Sequence, residues 1–294
     1  MQNQNEQTLI NKQDGNLAFK IFNFEKGNHF DHLQRNQFYS IIWLKKGNGK
    51  LKADFAEYDF TENALFTFAP YQPYMFLSDG EISGVAVQFH SDFFCIHANH
   101  TEVGCDGVLF NNIYEKPFFN INPSSANLLE LLLDQMKTEV KIDALAQYEQ
   151  IVSYLKIFLI TASRIKTENS TDKGCQMVFS HEPQILRNLR MAIEENFKSK
   201  HSASDYADLL NISPNALAKT VKAYYNKTLT ILITERIIIE AKRELYLSSK
   251  PIKEIAWALG YADEYYFSRL FKTNTDISPQ GYRDTIGFAR AQMM

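Results

Sequence analysis

The chain has 294 residues, 45% of them apolar and 22% charged, with a formal net charge of −3. That length and mixed composition exclude a disordered or fibrous chain and leave room for two domains with their own cores. Three cysteines exclude a disulfide framework and fit a reducing compartment. The longest apolar run, near Ile151 to Ala162, is broken by Ser153 and Lys156 and is too short to cross a bilayer, so no membrane partner is expected. The polar start, Met1 to Gln7, has no signal-peptide pattern and predicts a cytoplasmic protein.

Charge is spread unevenly. Residues 181–294 carry 16 Lys and Arg against 13 Asp and Glu, and the remainder carries 15 against 21. The excess of positive charge at the C-terminal end has the sign expected of a nucleic-acid partner.

Residues 1–16 are rich in Gln and Asn and predict a disordered tail. From 17 to 122 short runs of β-branched and aromatic residues follow one another: Ala18–Phe24, Phe38–Leu44, Leu51–Phe60, Leu65–Phe68, Tyr74–Leu77 and Gly84–Phe89. Turn signals separate them, including Gly47-Asn48-Gly49, Pro70-Tyr-Gln-Pro73 and Asp79-Gly80. Such spacing predicts an all-β sandwich or jelly-roll barrel. Aromatic side chains crowd these strands, Phe55 among them, and most must form the core. In a barrel some inward residues line a cavity, and Phe38, Trp43, Phe66, Phe68, Tyr74 and Phe76 are the candidate lining for a small organic ligand.

Metal chemistry is less well provided for. A metal-dependent barrel enzyme would need a His-x-His pair, a carboxylate and a later His, whereas His29 and His32 have the wrong spacing and His90 is the one later strand candidate. Cys95, His97, His100 and Cys105 have side chains that can hold zinc, but their spacing is not a common structural pattern. Phe93, Phe94, Ile96 and Val103 favour ordinary packing there. No catalytic residue, metal or cofactor is expected.

Ser124–Val140 and Ala144–Thr167 predict two helices in a segment 123–167, with Leu128, Leu129, Leu131, Leu132 and Met136 on the first. Both apolar stripes are wide for helices with one neighbour. Residues 168–182 are polar and without periodicity, as an interdomain linker would be. A domain from 183 to 294 opens with a helix from Pro183 to Phe197.

Within it one pattern is written twice. Leu217 matches Phe267, Lys219 matches Arg269, Val221 matches Phe271, Asn226 matches Asp276 and Thr228 matches Ser278, all at an offset of 50. Each copy predicts helix, short turn, helix. Ser213-Pro214 restarts the chain in the first copy, while Gly260 ends a helix and Asp263 caps the next in the second. Opposite the apolar stripe lie Asn215, Ala218, Lys219 and Lys222, matched by Glu264, Tyr265, Ser268, Arg269 and Lys272. Both sets are rich in side chains that can bond base edges or phosphates, and a helix fits the major groove. Lys222, Lys227 and Lys272 are the expected phosphate contacts, and Arg269 the expected guanine reader. Leu229–Leu247 predicts one connecting helix, about 28 Å long at roughly 1.5 Å per residue.

Ala241-Lys-Arg-Glu-Leu, Ile252-Lys-Glu-Ile-Ala, Leu259-Gly-Tyr, Tyr266-Phe-Ser-Arg-Leu-Phe-Lys272 and Ser278-Pro-Gln-Gly-Tyr-Arg283 make residues 184–285 closely resemble the AraC/XylS family of transcription regulators. The resemblance implies reading residues at Asn215, Ala218, Lys219, Glu264, Tyr265, Ser268 and Arg269. Ala218 offers no hydrogen bond, and Asn226 and Asp276 stand where the family usually has Gly; both tolerate positive φ. The strand layout is similar to the cupin-like sensor domain often fused ahead of such a unit. The expected fold class is thus α+β multidomain: a jelly-roll, cupin-like barrel with a helical hairpin, then an all-α domain with two helix-turn-helix motifs joined by a long helix. Implied partners are double-stranded DNA at a promoter or operator, a small organic effector, a second copy of the chain through the helical pair, and RNA polymerase. Control by abundance or a protein partner, with no small ligand, stays open as an alternative.

Overall fold

A computed structural model describes residues 6–11, 15–25, 29–54, 56–78, 80–96, 108–172 and 183–286. The chain divides into two compact units, one of Met1–Asn112 with Lys116–Ser170, the other of Ile113–Glu115 with Thr171–Met294. Among the described residues no helix is long and apolar enough to cross a membrane.

The first unit holds strands β1 (Glu6–Ile10), β2 (Leu17–Phe24), β3 (Tyr39–Lys46), β4 (Gly49–Ala53), β5 (Ala56–Phe60), β6 (Ala64–Phe68), β7 (Tyr74–Leu77), β8 (Ser83–Phe89) and β9 (Phe118–Asn120). They form a six-stranded sheet in the order β1-β2-β8-β3-β6-β9 and a three-stranded sheet in the order β5-β4-β7. Every pairing between these strands is antiparallel. The two sheets share one apolar interior, made by Phe22, Phe24, Ile42, Leu44, Phe66 and Phe68 of the large sheet with Leu51, Phe60, Tyr74 and Phe76 of the small one. Alternate residues of the same strands, such as Phe19, Ile21, Ile41, Trp43, Val85 and Val87, face the other way. They are covered by helices α1 (Pro123–Val140) and α2 (Gln147–Asp172), through Leu129, Leu133 and Met136 and through Leu155, Phe158 and Leu159.

Three expectations are corrected. Residues 6–10 are not a disordered tail: they pair with β2 along its edge, and Glu6 meets Lys20 at 2.7 Å. Leu51–Phe60 is not one strand. Asp54 takes a left-handed backbone (φ 52), its amide donates to the Pro73 carbonyl and its carboxylate accepts from Gln72, so the chain doubles back into β4 and β5. The helical pair also runs past its expected end at Thr167, α2 continuing to Asp172. Phe55, Asp79 and the sequence-assigned linker beyond Asp172 lie outside the described residues.

The second unit is helical: α3 (Gln184–Asn196), α4 (Ala203–Leu209), α5 (Pro214–Tyr225), α6 (Leu229–Leu247), α7 (Ile252–Ala258), α8 (Glu264–Thr275) and α9 (Pro279–Ile286). Leu232, Ile233, Ile237, Ala241 and Leu245 make α6 the apolar spine of this unit. Its C-terminal end is tied down by Arg283 of α9, whose guanidinium donates to the carbonyls of Leu245, Ser248 and Lys250. Carbonyls at and just past a helix end lack the partner that a further turn of helix would supply.

Candidate nucleic-acid interface

Two helix pairs, α4–α5 and α7–α8, are built by the same local devices. Ser202 and Asp205 form a reciprocal cap on α4, and the hydrogen bonds from Ser202 hold the Asp205 carboxyl below its ordinary range. That helix ends where Asn211 turns left-handed (φ 54), with the Ile212 amide donating to the Ala207 carbonyl at 3.0 Å. In the second pair Gly260 takes that role (φ 83), and the Tyr261 amide donates to the Ala256 carbonyl at 2.9 Å. Both are the six-to-one closure of a helix end. Glycine is required in the second case, because a Cβ there would be driven into the Lys198 carbonyl oxygen.

The second helices then start and stop in step. Ser213 accepts from the Ala216 amide to open α5, and Asp263 accepts from the Tyr265 amide to open α8. Asn226 (φ 55) and Asp276 (φ 60) close them, both left-handed as their side chains allow. Leu217, Val221 and Tyr225 bury one face of α5; Phe267, Phe271 and Thr275 bury the matching face of α8.

Opposite those faces Asn215, Ala218, Lys219 and Lys222 are exposed on α5, and Tyr265, Arg269 and Lys272 on α8, with Glu264 and Ser268 half-buried. Lys222 Nζ turns back to its own helix end, donating to the Asn226 carbonyl at 3.0 Å. Tyr266, passed over in the sequence, is 52% exposed on the same turn as Tyr265. Its offset partner Ala216 is also exposed, and that pairing is the signal that would have found it. Lys227 is a correction. Its side chain is 5% exposed and donates to Glu235 at 2.9 Å, so it is an internal ion pair and not a phosphate contact.

Behind the two pairs, charged side chains lock α3 to α6. Arg236 lies over the Phe197 ring at 4.0 Å and bonds Glu194 at 2.8 Å and Glu240 at 3.3 Å. Burial pushes the Glu240 carboxyl up, but the Arg236 and Lys198 cations beside it outweigh that and hold it below its ordinary value.

The pattern of the Helix-turn-helix domain matches residues 206–285, which run from within α4 into α9. The raffinose operon transcriptional regulatory protein RafR of Pediococcus pentosaceus is 32% identical over 95 residues, covering 32% of this chain and 34% of RafR. Regulatory protein SoxS of Salmonella typhimurium is 31% identical over 104 residues, which are 35% of this chain and 96% of SoxS. The chain belongs to the AraC/XylS family of transcription regulators. Family membership rests on the second unit: the chain spans about a third of RafR and about three-fifths of two further relatives. Among solved structures, ToxT from Vibrio cholerae O395 is similar at 14% identity, covering 92% of this chain and 98% of that one with a TM-score of 0.41.

The ligand lining expected in the first unit is only partly gathered. Phe66, Phe68, Tyr74 and Phe76 meet between the two sheets, where Phe68 stacks on Tyr74 at 3.8 Å and all four are no more than 2% exposed. Phe38 is half-buried, edge-on to His90 at 5.9 Å. Trp43 drops out. Strand alternation turns it to the helix-covered side of the sheet, away from those four. Of the sulfur and imidazole cluster only Cys95 is described; His97, His100 and Cys105 lie outside the described residues.

Proposed function

We propose that the protein regulates transcription by binding double-stranded DNA at a promoter or operator, with α5 and α8 lying in successive major-groove segments. The observation that carries this reading is the duplicated frame: two helix pairs with the same left-handed turns, each leaving one face of its second helix uncovered. Asn215, Ala218 and Lys219, then Glu264, Tyr265, Ser268 and Arg269, face the base edges, while Lys222 and Lys272 meet phosphates. In the first unit the two sheets are read as a cupin-like jelly roll that senses a small organic effector. The helical pair is the candidate dimer face, since Leu128 and Leu131 stay 46% and 56% exposed on α1. RNA polymerase is the further partner such a regulator needs.

Binding of the full chain to its selected duplex should weaken steeply with salt. Arg269→Ala should relax the preference at one base position, and Lys272→Ala should weaken all sequences about equally. Equal loss on specific and scrambled DNA for Arg269→Ala rejects its reading role.

A second reading keeps the DNA role and drops the effector. It is favoured by the close packing of Phe66, Phe68, Tyr74 and Phe76, whose buried rings meet in pairs between the sheets. Control would then lie in abundance or in a protein partner. Thermal unfolding across a small-molecule panel separates the two, a raised midpoint supporting the effector.

A further inference from the structure

Helices α5 and α8 have twelve residues each and begin 50 positions apart, each opened by a side-chain cap and closed by a left-handed residue. Every exposed position on α5 therefore has one counterpart on α8, at the same place relative to the buried pair Leu217 and Val221 or Phe267 and Phe271. The frames agree, but the chemistry they present does not. On α5 Ala216, Ala218 and Ala223 offer a methyl group each; their counterparts Tyr266, Ser268 and Thr273 each carry a hydroxyl. Lys219 is a point charge on a flexible stem. Its counterpart Arg269 presents a rigid fork that matches the two acceptors on a guanine edge. Asn215 is the one exposed side chain on α5 with a fork of its own, a donor and an acceptor on one amide.

Tyr265 adds to the contrast. It is 79% exposed, a large apolar ring at the open end of the helix. It sits four residues before Arg269, so the two side chains stand one turn apart on one face, about 5–6 Å between their Cβ atoms. Base pairs stack about 3.4 Å apart, so side chains at that spacing can reach adjoining ones. The turn carrying Tyr265 is braced from behind: Tyr266 lies 5.8 Å from Tyr261, whose ring stacks on His201 at 4.5 Å.

We propose that the recognised DNA site is lopsided. Bases opposite α8 are specified, a guanine by Arg269 and a neighbouring thymine by contact of its methyl group with the Tyr265 ring. Bases opposite α5 are specified less sharply, Asn215 supplying the one fork there and Lys219 a single flexible donor. The inference rests on the DNA-binding reading above.

Selection of bound duplexes from a random pool tests it, using the full chain and four variants. Wild type should return one strongly conserved segment and one degenerate segment a helical turn away. Arg269→Ala should flatten the guanine preference by roughly ten- to a hundredfold, and Tyr265→Ala should flatten the adjoining thymine by less. Lys219→Ala should lower affinity for all sequences about equally. The double variant Ala218→Ser with Lys219→Arg gives α5 the Ser and Arg of α8 and should create a second specified guanine, a gain that misfolding cannot imitate. Two equally conserved segments in wild type, a changed preference in Lys219→Ala, or a double variant that selects the wild-type sequences overturns the proposal. Failure to retain any duplex overturns the DNA-binding reading beneath it.

Discussion

The two helix pairs of the second unit share a frame and differ in what fills it. The turn of the first is made by Asn211, that of the second by Gly260 with one residue more before the next helix. Just past its second helix the first pair buries Lys227 against Glu235, where the second has Ile277 and Thr285 at the same offset. Caps and apolar faces fix helix length and direction and match in the two copies; the turn, the solvent-facing positions and this buried pair differ. The difference teaches that a duplicated scaffold constrains where side chains point and leaves open what they recognise.

The largest expected effect comes from breaking the buried pair. Glu235→Ala leaves the Lys227 charge without its internal counterpart and should cost about 3–5 kcal/mol in urea unfolding. Making the first copy like the second, Lys227→Ile with Glu235→Thr, should recover most of that loss, since it removes both buried charges together and leaves neither unpaired. A double variant as unstable as the single one would mean that uncharged Ile and Thr cannot stand in for the pair at this site.

The turn residues should respond unequally. Gly260→Ala forces a Cβ against the Lys198 carbonyl at φ 83 and should cost about 1–3 kcal/mol, whereas Asn211→Gly should change stability by only a few tenths. Equal effects at the two positions would erase the distinction.

The smallest effect concerns the charges behind both pairs, because Lys198 and Arg243 are about half exposed and screened by solvent. Glu240 titrates below its ordinary value in the folded protein. Its contribution is therefore present at neutral pH and is lost as pH falls through the ordinary carboxylate range toward that lowered value. In Glu240→Gln the acid limb of the stability profile should be shallower; an unchanged limb would show that the network adds nothing measurable.

Much of this was legible in the sequence, for identifiable reasons. Leu229–Leu247 matches α6 at both ends because Thr228 caps it and its apolar residues keep one period throughout. Asn226 and Asp276 adopt positive φ as their side chains permit. Lys227 was misassigned because its partner Glu235 lies eight residues on, in the following helix, and no local pattern shows that approach. Trp43 was misplaced because both faces of the large sheet are buried: from Tyr39 to Leu44 every residue is buried, and no polar alternation marks the inner side. The strand Glu6–Ile10 escaped notice because an edge strand gains its hydrogen bonds from Leu17–Phe22, not from its own composition.

The seclusion of Lys227 and Glu235 has a practical consequence. Counter-ions reach that pair poorly, at 5% and 9% exposure, whereas contacts between exposed lysines and phosphates dissolve quickly as ionic strength climbs. On the proposed DNA-binding reading, brine would thus strip nucleic acid from the protein well before it loosened the seat of α5.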